Sequence, residues 1–426
     1  MAIAADQETA FWHPFADMGA VKSNEFVLTR GEGSWLWDDQ GRKFIDASAA
    51  LWYVNVGHGR AEIADAAAAQ LKKLASYSCF GDGVTEPTRE LAAKLADLSG
   101  LPGARVFFNS GGSDAVETTA KLARLFHDAH GNGQRTEIIS RTNAYHGTHG
   151  YGTSLGGIDP NRVGWGQLMP GITHVEHDSV AALEETIAKA GADNVAAFIF
   201  EPVIGAGGVL PPSEGYVEGV AELCRSQGIL LIVDSTICGM GRIGTWYGFE
   251  RFGIEPDMVI FAKGVTSGYL PLGGVVVHGR VAEPFWSAPG RMVRHGNTYS
   301  GHAACCAAGL ANIEIMEREN LVPRGMALEG TLYDALAPLA DHPLVSEVRG
   351  GTGLMAAVEL KPEVIQANPK AVGQAYVHTR EAGGVLVRPL VRSIAVSPPL
   401  IITEDEIAQI GDGIRAGLDS LLAASA

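Results

Sequence analysis

ILLIVDSTICGMGRIG, residues 229–244, decides how the rest of the chain is read. It opens with an unbroken apolar run, ends that run on Asp234, and continues into a glycine-punctuated loop. A short continuous apolar run closed by a turn fits a strand covered on both faces, as in a parallel sheet flanked by helices. A carboxylate at the end of such a strand needs a partner, because an unpaired buried charge is costly. Two readings meet this need: a cation in a cleft, or a role for Asp234 as cap of the following turn.

Working outward, similar runs recur after residue 60 between amphipathic helical stretches: ARVFF (104–108), TEIIS (136–140), AAFIFEP (196–202), DMVIFAK (257–263) and GGVVV (273–277). This alternation predicts an α/β fold with a largely parallel sheet. Ligands of such sheets lie beyond the carboxyl ends of the strands. Glu201, Asp234 and Lys263 all fall there. A lysine at a strand end inside a cleft can lose its charge by desolvation, as imine formation with an aldehyde requires, although lysines after strands are also frequent on surfaces. In FFNSGGSDAVETTAKLARLFHDA (107–129) a turn with Gly111 and Gly112 precedes Ser113 and a long helical pattern. Free backbone N–H groups at a helix start suit a phosphate; the alternative is that Ser113 is only an N-cap before Asp114. In TNAYHGTHGYG (142–152) the ring of Tyr145 can stack on a planar ligand, and His146 and His149 lack a third partner at metal-ligand spacing, so no metal is expected.

Composition sets the outer limits. The chain has 426 residues, 46% hydrophobic and 19% charged, enough for a large core and more than one ordinary domain. A net charge of −16, spread along the chain, excludes nucleic acid as the main partner. The cysteines, Cys79, Cys224, Cys238, Cys305 and Cys306, form no CxxC pair, which points to neither a disulfide framework nor a zinc ribbon and fits a reducing cytoplasm. MAIAADQETAFWHPF, the start of the chain, lacks a basic region followed by an apolar one, and no apolar run approaches the roughly 20 residues of a membrane span. No export and no membrane anchor are therefore expected. SWLWDDQGRKFID (34–46) reads as a hairpin around Asp39-Gln40-Gly41, and short strands such as LMAAVEL (354–360) and GVLVRPL (384–390) recur near the other end. Both chain ends, 1–60 and 321–426, are read as one smaller α+β domain packed on a large domain at 61–320.

Taken in order, FWHPF, ALWYVNVGHGR, NSGGSDAVET, AYHGTHG, FIFEPVIGAGGV, IVDSTICGMGRIG, FAKGVTSGYLPLGG, NTYSGHAA and VRPLVRSIAVSPPLIIT resemble the class III aminotransferases, pyridoxal-phosphate enzymes that include the ω-amine:pyruvate and β-alanine:pyruvate transaminases. The resemblance runs nearly end to end and implies an aspartate-aminotransferase-like fold with pyridoxal 5'-phosphate as cofactor. By motif, Lys263 would be the Schiff-base lysine and Asp234 would pair with the pyridine nitrogen. Gly112 and Ser113 would hold the phosphate, with Thr298 reaching it from a neighbouring subunit, so that a homodimer is implied. Tyr145, beside His146, would lie on one face of the ring and Thr236 on the other, with Glu201 near the ring hydroxyl. Trp52 and Phe80 would line the substrate pocket, with Tyr151 adjacent. Arg388, ten residues before Pro398, matches the arginine that grips a substrate carboxylate, and Arg392 is its nearby competitor.

Two departures stand out. Relatives usually carry an acidic and an aliphatic residue where this chain has Ser235 and Thr236, and Gly111 stands where a serine is commoner. The implied reaction moves an amino group from a primary amine or ω-amino acid to a keto acid such as pyruvate with ping-pong kinetics. Aminomutase, racemase and decarboxylating transaminase activities share the same motifs, and a catalytically silent scaffold on the same fold is the alternative from another class.

Overall fold

The computed structural model describes residues 8–425; the first seven residues, part of the stretch read as free of an export signal, lie outside it. Among the described residues, seven strands form the central sheet: β1 (Arg105–Asn109), β2 (Glu137–Arg141), β3 (Ile172–Val175), β4 (Val195–Phe200), β5 (Leu230–Asp234), β6 (Met258–Phe261) and β7 (Gly273–Val277). Their spatial order is β1-β7-β6-β5-β4-β2-β3. Strands β2 to β6 pair in parallel, while β7 runs antiparallel to both of its neighbours, β1 and β6. The predicted α/β architecture is therefore present, and GGVVV is the one reversed strand of this sheet.

Every residue of β4 to β7 is buried, which explains why they read as apolar runs rather than alternating ones. The alternation is still there in the packing. Ala197 and Ile199 of β4 face helix Gly112–Ala129 through Ala115, Val116 and Ala120. Phe198 and Phe200, one residue out of phase, join Leu91, Leu95, Val217 and Val220 on the opposite side. Two helical layers thus hold the sheet rigid, and its carboxyl edge becomes a fixed platform.

Both chain ends contribute to the smaller part of the molecule. Trp35–Asp38 and Lys43–Asp46 make the expected hairpin. Its turn is set by Asp38, whose Oδ1 accepts from the N–H groups of Gln40 (3.0 Å) and Arg42 (2.8 Å). GVLVRPL divides between two sheets. Val385–Leu386 pairs in parallel with Lys43–Asp46, whereas Arg388–Pro389 joins the sheet of Val345–Arg349, Ala356–Leu360 and Ser393–Val396. Within three residues the chain passes from one small sheet to the other, and Arg388 emerges at that crossing.

Arg242, in the loop after β5, ties these parts together. Its fully buried guanidinium donates from Nη1 to the carbonyls of Leu354 (3.0 Å) and Pro398 (2.6 Å), and from Nη2 to Asn55 Oδ1 (2.9 Å). Burial pulls its pKa down to about 10, against the opposing charge of Asp46, so it stays protonated at neutral pH. Truncating it would strand three buried acceptors from both chain ends. Replacing Arg242 by Ala should lower the unfolding free energy by ~3 kcal/mol or more, read as a lower urea midpoint; an unmoved midpoint contradicts this account.

Candidate active site

The carboxyl edge of the central sheet opens into a cavity of about 760 Å³. Its floor collects the ends of separate strands: Ser110 to Ser113 after β1, Tyr145 and His146 after β2, Glu201 after β4, Asp234 at the end of β5, and Lys263 after β6. Leu270 to Leu272, leading into the reversed strand β7, close one side. The smaller domain supplies the opposite wall through Leu51, Trp52, Tyr53, Arg388 and Leu390.

Asp234 and Glu201 are both buried, and their surroundings push them apart. Burial works to raise the Asp234 carboxyl, but the His146 ring (Nδ1 to Oδ2, 2.8 Å) and Thr236, whose N–H reaches Oδ1 at 3.1 Å, hold it below the ordinary range. Glu201 accepts only backbone N–H groups, from Tyr145 and Gly205, each at 3.0 Å, and burial raises it. Two carboxyls driven in opposite directions mark distinct duties: Asp234 stays anionic and can face a cation, while Glu201 leans toward its neutral form.

Lys263 begins a short turn with φ +49°, a strained backbone for a residue with a side chain. Among the described residues its Nζ has neither a hydrogen bond nor an ion pair. Burial lowers its pKa, opposed by the charges of Asp234 and Glu201. Desolvation therefore favours the free amine that an aldehyde partner requires.

Helix Gly112–Ala129 starts at Gly111 with no side-chain cap, so the expectation of Ser113 as N-cap does not hold. Gly112 and Ser113 line the cavity, and among the described residues their N–H groups have no protein partner. Ser113 Oγ instead accepts from the Thr148 N–H at 3.2 Å. A Cβ on Gly111 would face open space, and one on Gly112 would press on Thr236 at 3.2 Å, narrowing the cradle. An anion cradle, an anionic aspartate and an unpaired lysine whose charge is disfavoured by burial, all in one cavity, fit the phosphate, the ring nitrogen and the aldehyde of pyridoxal phosphate.

The remaining expected residues divide clearly. Trp52, 3% exposed, and Arg388 line the cavity. Arg388 carries no ion pair among the described residues, whereas Arg392 pairs with Glu359 at 2.6 Å and is not part of the cavity lining. Tyr151 belongs to a packed seam instead of the cavity wall, because its hydroxyl accepts from Arg124 and its N–H donates to Glu117. Phe80 (61% exposed) and Thr298 stand outside the cavity on the surface, close together: a Cβ on Gly296 would meet the Phe80 ring at 3.1 Å. Ser235 does not line the cavity either; its buried hydroxyl donates to the Tyr247 carbonyl. Sequence reading missed Phe15, Leu51, Tyr53, Asn161 and Leu390 of the wall, which lie in loops or in helical turns of four residues, too short for a periodicity to single them out. Ser110, next to the Gly111 turn, was the one missed residue with a signal.

Comparison with known proteins gives a consistent picture. The family described as "Aminotransferase class-III" matches residues 18–418. An omega-aminotransferase of Caulobacter vibrioides is 36% identical, over 96% of this chain and 97% of that one. A putrescine–pyruvate aminotransferase of Pseudomonas aeruginosa is 36% identical, over 96% and 94%. An amine transaminase from an uncultivated Pseudomonas species, solved in its pyridoxal-phosphate-bound form, superposes with a TM-score of 0.93 at 37% identity, covering 97% of this chain and 99% of that one.

The depressed pKa of Lys263 is directly measurable. In cofactor-free protein its reductive methylation should set in at lower pH than at exposed lysines such as Lys72 and Lys370, since the neutral amine is the reactive form. Asp234→Asn, which deletes a charge that supports the ammonium, should shift that onset further down. Peptide mass spectrometry against pH reads both, and an onset at or above that of the exposed lysines contradicts the electrostatic account.

Proposed function

This chain belongs to the class-III aminotransferase family and transfers amino groups from amines to keto acids, and from that premise we propose that its cavity holds pyridoxal 5'-phosphate and accepts pyruvate as the keto acid. The observation that carries the reading is the unpaired amine of Lys263 sharing one buried cavity with the anionic Asp234. Bound there, the cofactor supplies an electron sink for the pair released when a Cα–H bond breaks.

The residues of the chain do the rest. Gly112 and Ser113 would bind the phosphate through their N–H groups. Asp234, aligned by His146, would keep the ring nitrogen protonated, and Tyr145 and Thr236 would confine the ring between them. Glu201, inclined to neutrality, would stand by the ring hydroxyl without adding a second negative charge. Lys263 would hold the aldehyde end of the cofactor and, as a free amine, would take the proton from Cα and hand it on as general base and acid. Arg388 would fork onto the carboxylate of the keto acid, with Trp52 closing the apolar side. The relatives named above are aminotransferases, which favours intermolecular transfer over mutase, racemase or scaffold roles.

A homodimer completes this proposal. Tyr77, Phe80, Met292 and Tyr299 are all more than half exposed, and they flank Thr298 outside their own chain's cavity. An apolar surface of this kind is suited to burial against a second copy, whose cavity Thr298 and Phe80 would then complete. We place the enzyme in the cytoplasm, a compartment suited to its five free thiols.

Absorption spectroscopy tests the core of the reading. The reconstituted protein should show a visible band that bleaches with 1-phenylethylamine and returns with pyruvate, while Lys263→Ala should lose both the cycle and turnover; no band after incubation with the cofactor would defeat the proposal. Arg388→Ala should raise KM for pyruvate by about 10- to 100-fold, the worth of a charge-assisted contact, and leave KM for an amine without a carboxylate nearly unchanged. Equal shifts for both substrates would assign the carboxylate to another group.

A further inference from the structure

Residues 48–53 carry Leu51, Trp52 and Tyr53 into the cavity wall, and their backbone is the most strained stretch of the described chain. Ala49 (φ +44°), Ala50 (φ +57°, ψ −82°) and Trp52 (φ +67°) all adopt left-handed φ without being glycine. Each such residue costs about 1–3 kcal/mol and persists only where the surroundings over-determine it. The restraint is Asp46. Its carboxylate, with no solvent exposure, accepts from the Ser48 N–H (3.1 Å) and hydroxyl (2.9 Å) on Oδ1, and from the Ala50 N–H (2.8 Å) and His58 Nε2 (2.8 Å) on Oδ2. The Ser397 N–H buttresses the same bend from the C-terminal side, donating to Ala47 O at 2.7 Å.

We infer that Asp46 is a positioning residue for substrate selection: it holds the strained bend at 48–53 so that Leu51, Trp52 and Tyr53 form the wall against which the apolar substituent of the amine packs. The Ala50 N–H, which would otherwise be free to turn with a relaxed backbone, is the contact that fixes the unfavourable φ and ψ. An anion is required because four donors converge on one group, and a neutral amide presents a donor where Oδ2 now accepts. The inference rests on the transaminase reading for its substrate and on the bend alone for its mechanics.

Two donors of different size, isopropylamine and 1-phenylethylamine, with pyruvate as acceptor, test it in the reconstituted enzyme. D46N should raise KM for the aryl amine at least about tenfold, the effect of one lost charge-assisted bond, while the small amine changes much less. A50G introduced into D46N should recover most of that KM, because glycine adopts the bend without strain. Amide exchange over residues 48–53 should speed up in D46N and slow again in D46N/A50G. Equal losses on both amines without rescue, or exchange unchanged by D46N, overturn the proposal. If D46N does not fold, S48A, which withdraws one donor only, is read by the same criteria. A wild-type enzyme inactive with both amines would tell against the transaminase reading, and the exchange comparison would still decide the role of Asp46.

Discussion

Removing the Arg242 guanidinium from water is the constraint on which the architecture turns. A cation of that size is tolerated inside only if acceptors surround it, and the acceptors here come from Asn55, Leu354 and Pro398. These lie on the N-terminal and C-terminal portions of the chain, while Arg242 belongs to the loop after β5 of the central sheet. Satisfying one charge therefore docks both chain ends onto the large domain. The cavity follows from that docking, since its floor is sheet and its opposite wall is the smaller domain.

Within the cavity the electrostatics depend on unequal compensation. Asp234 has a histidine ring and a threonine N–H and stays charged; Glu201 has two amide donors and is driven toward neutrality; Lys263 has no partner and is driven toward the free amine. Burial alone would neutralise all three. The hydrogen bond from His146 favours the ionised form of Asp234, so this carboxylate can face the space where a protonated ring nitrogen fits. His146 acts behind the aspartate and Thr236 beside it, which explains how one face of the carboxylate is left for a ligand.

Both domains also use a second physical device. The bend at residues 48–53 and the turn at Lys263 both place side chains in the cavity at the cost of left-handed backbone. Such conformations survive because neighbouring groups leave no alternative: a four-donor carboxylate at the first, and the packed end of β6 at the second. Strain and site coincide because a relaxed backbone would turn the same side chains elsewhere.

Much of this was legible in the linear sequence. Unbroken apolar runs ending in Glu201, Asp234 and Lys263 specified buried parallel strands and the edge where their ends meet, because a strand covered on both faces tolerates no polar break. Glycines before a long helical pattern marked the uncapped start of helix Gly112–Ala129, because a glycine turn leaves backbone N–H groups free there. Tyr151 was misplaced because its distance from the cavity depends on how helix Gly150–Leu155 packs on Arg124 and Glu117, far from it in sequence. That Arg388 lines the cavity while Arg392 pairs with Glu359 depends on the fold, and the walls at Leu51, Tyr53 and Asn161 needed irregular short turns that no periodicity encodes. Sequence by itself determined the strands, their polar ends and the chemistry those ends can perform, since these follow from local patterns of burial. Tertiary structure alone decided which side chains share the cavity and toward which charge each buried group is driven, since both depend on contacts between segments distant in sequence, such as His146 with Asp234 and Tyr145 with Glu201.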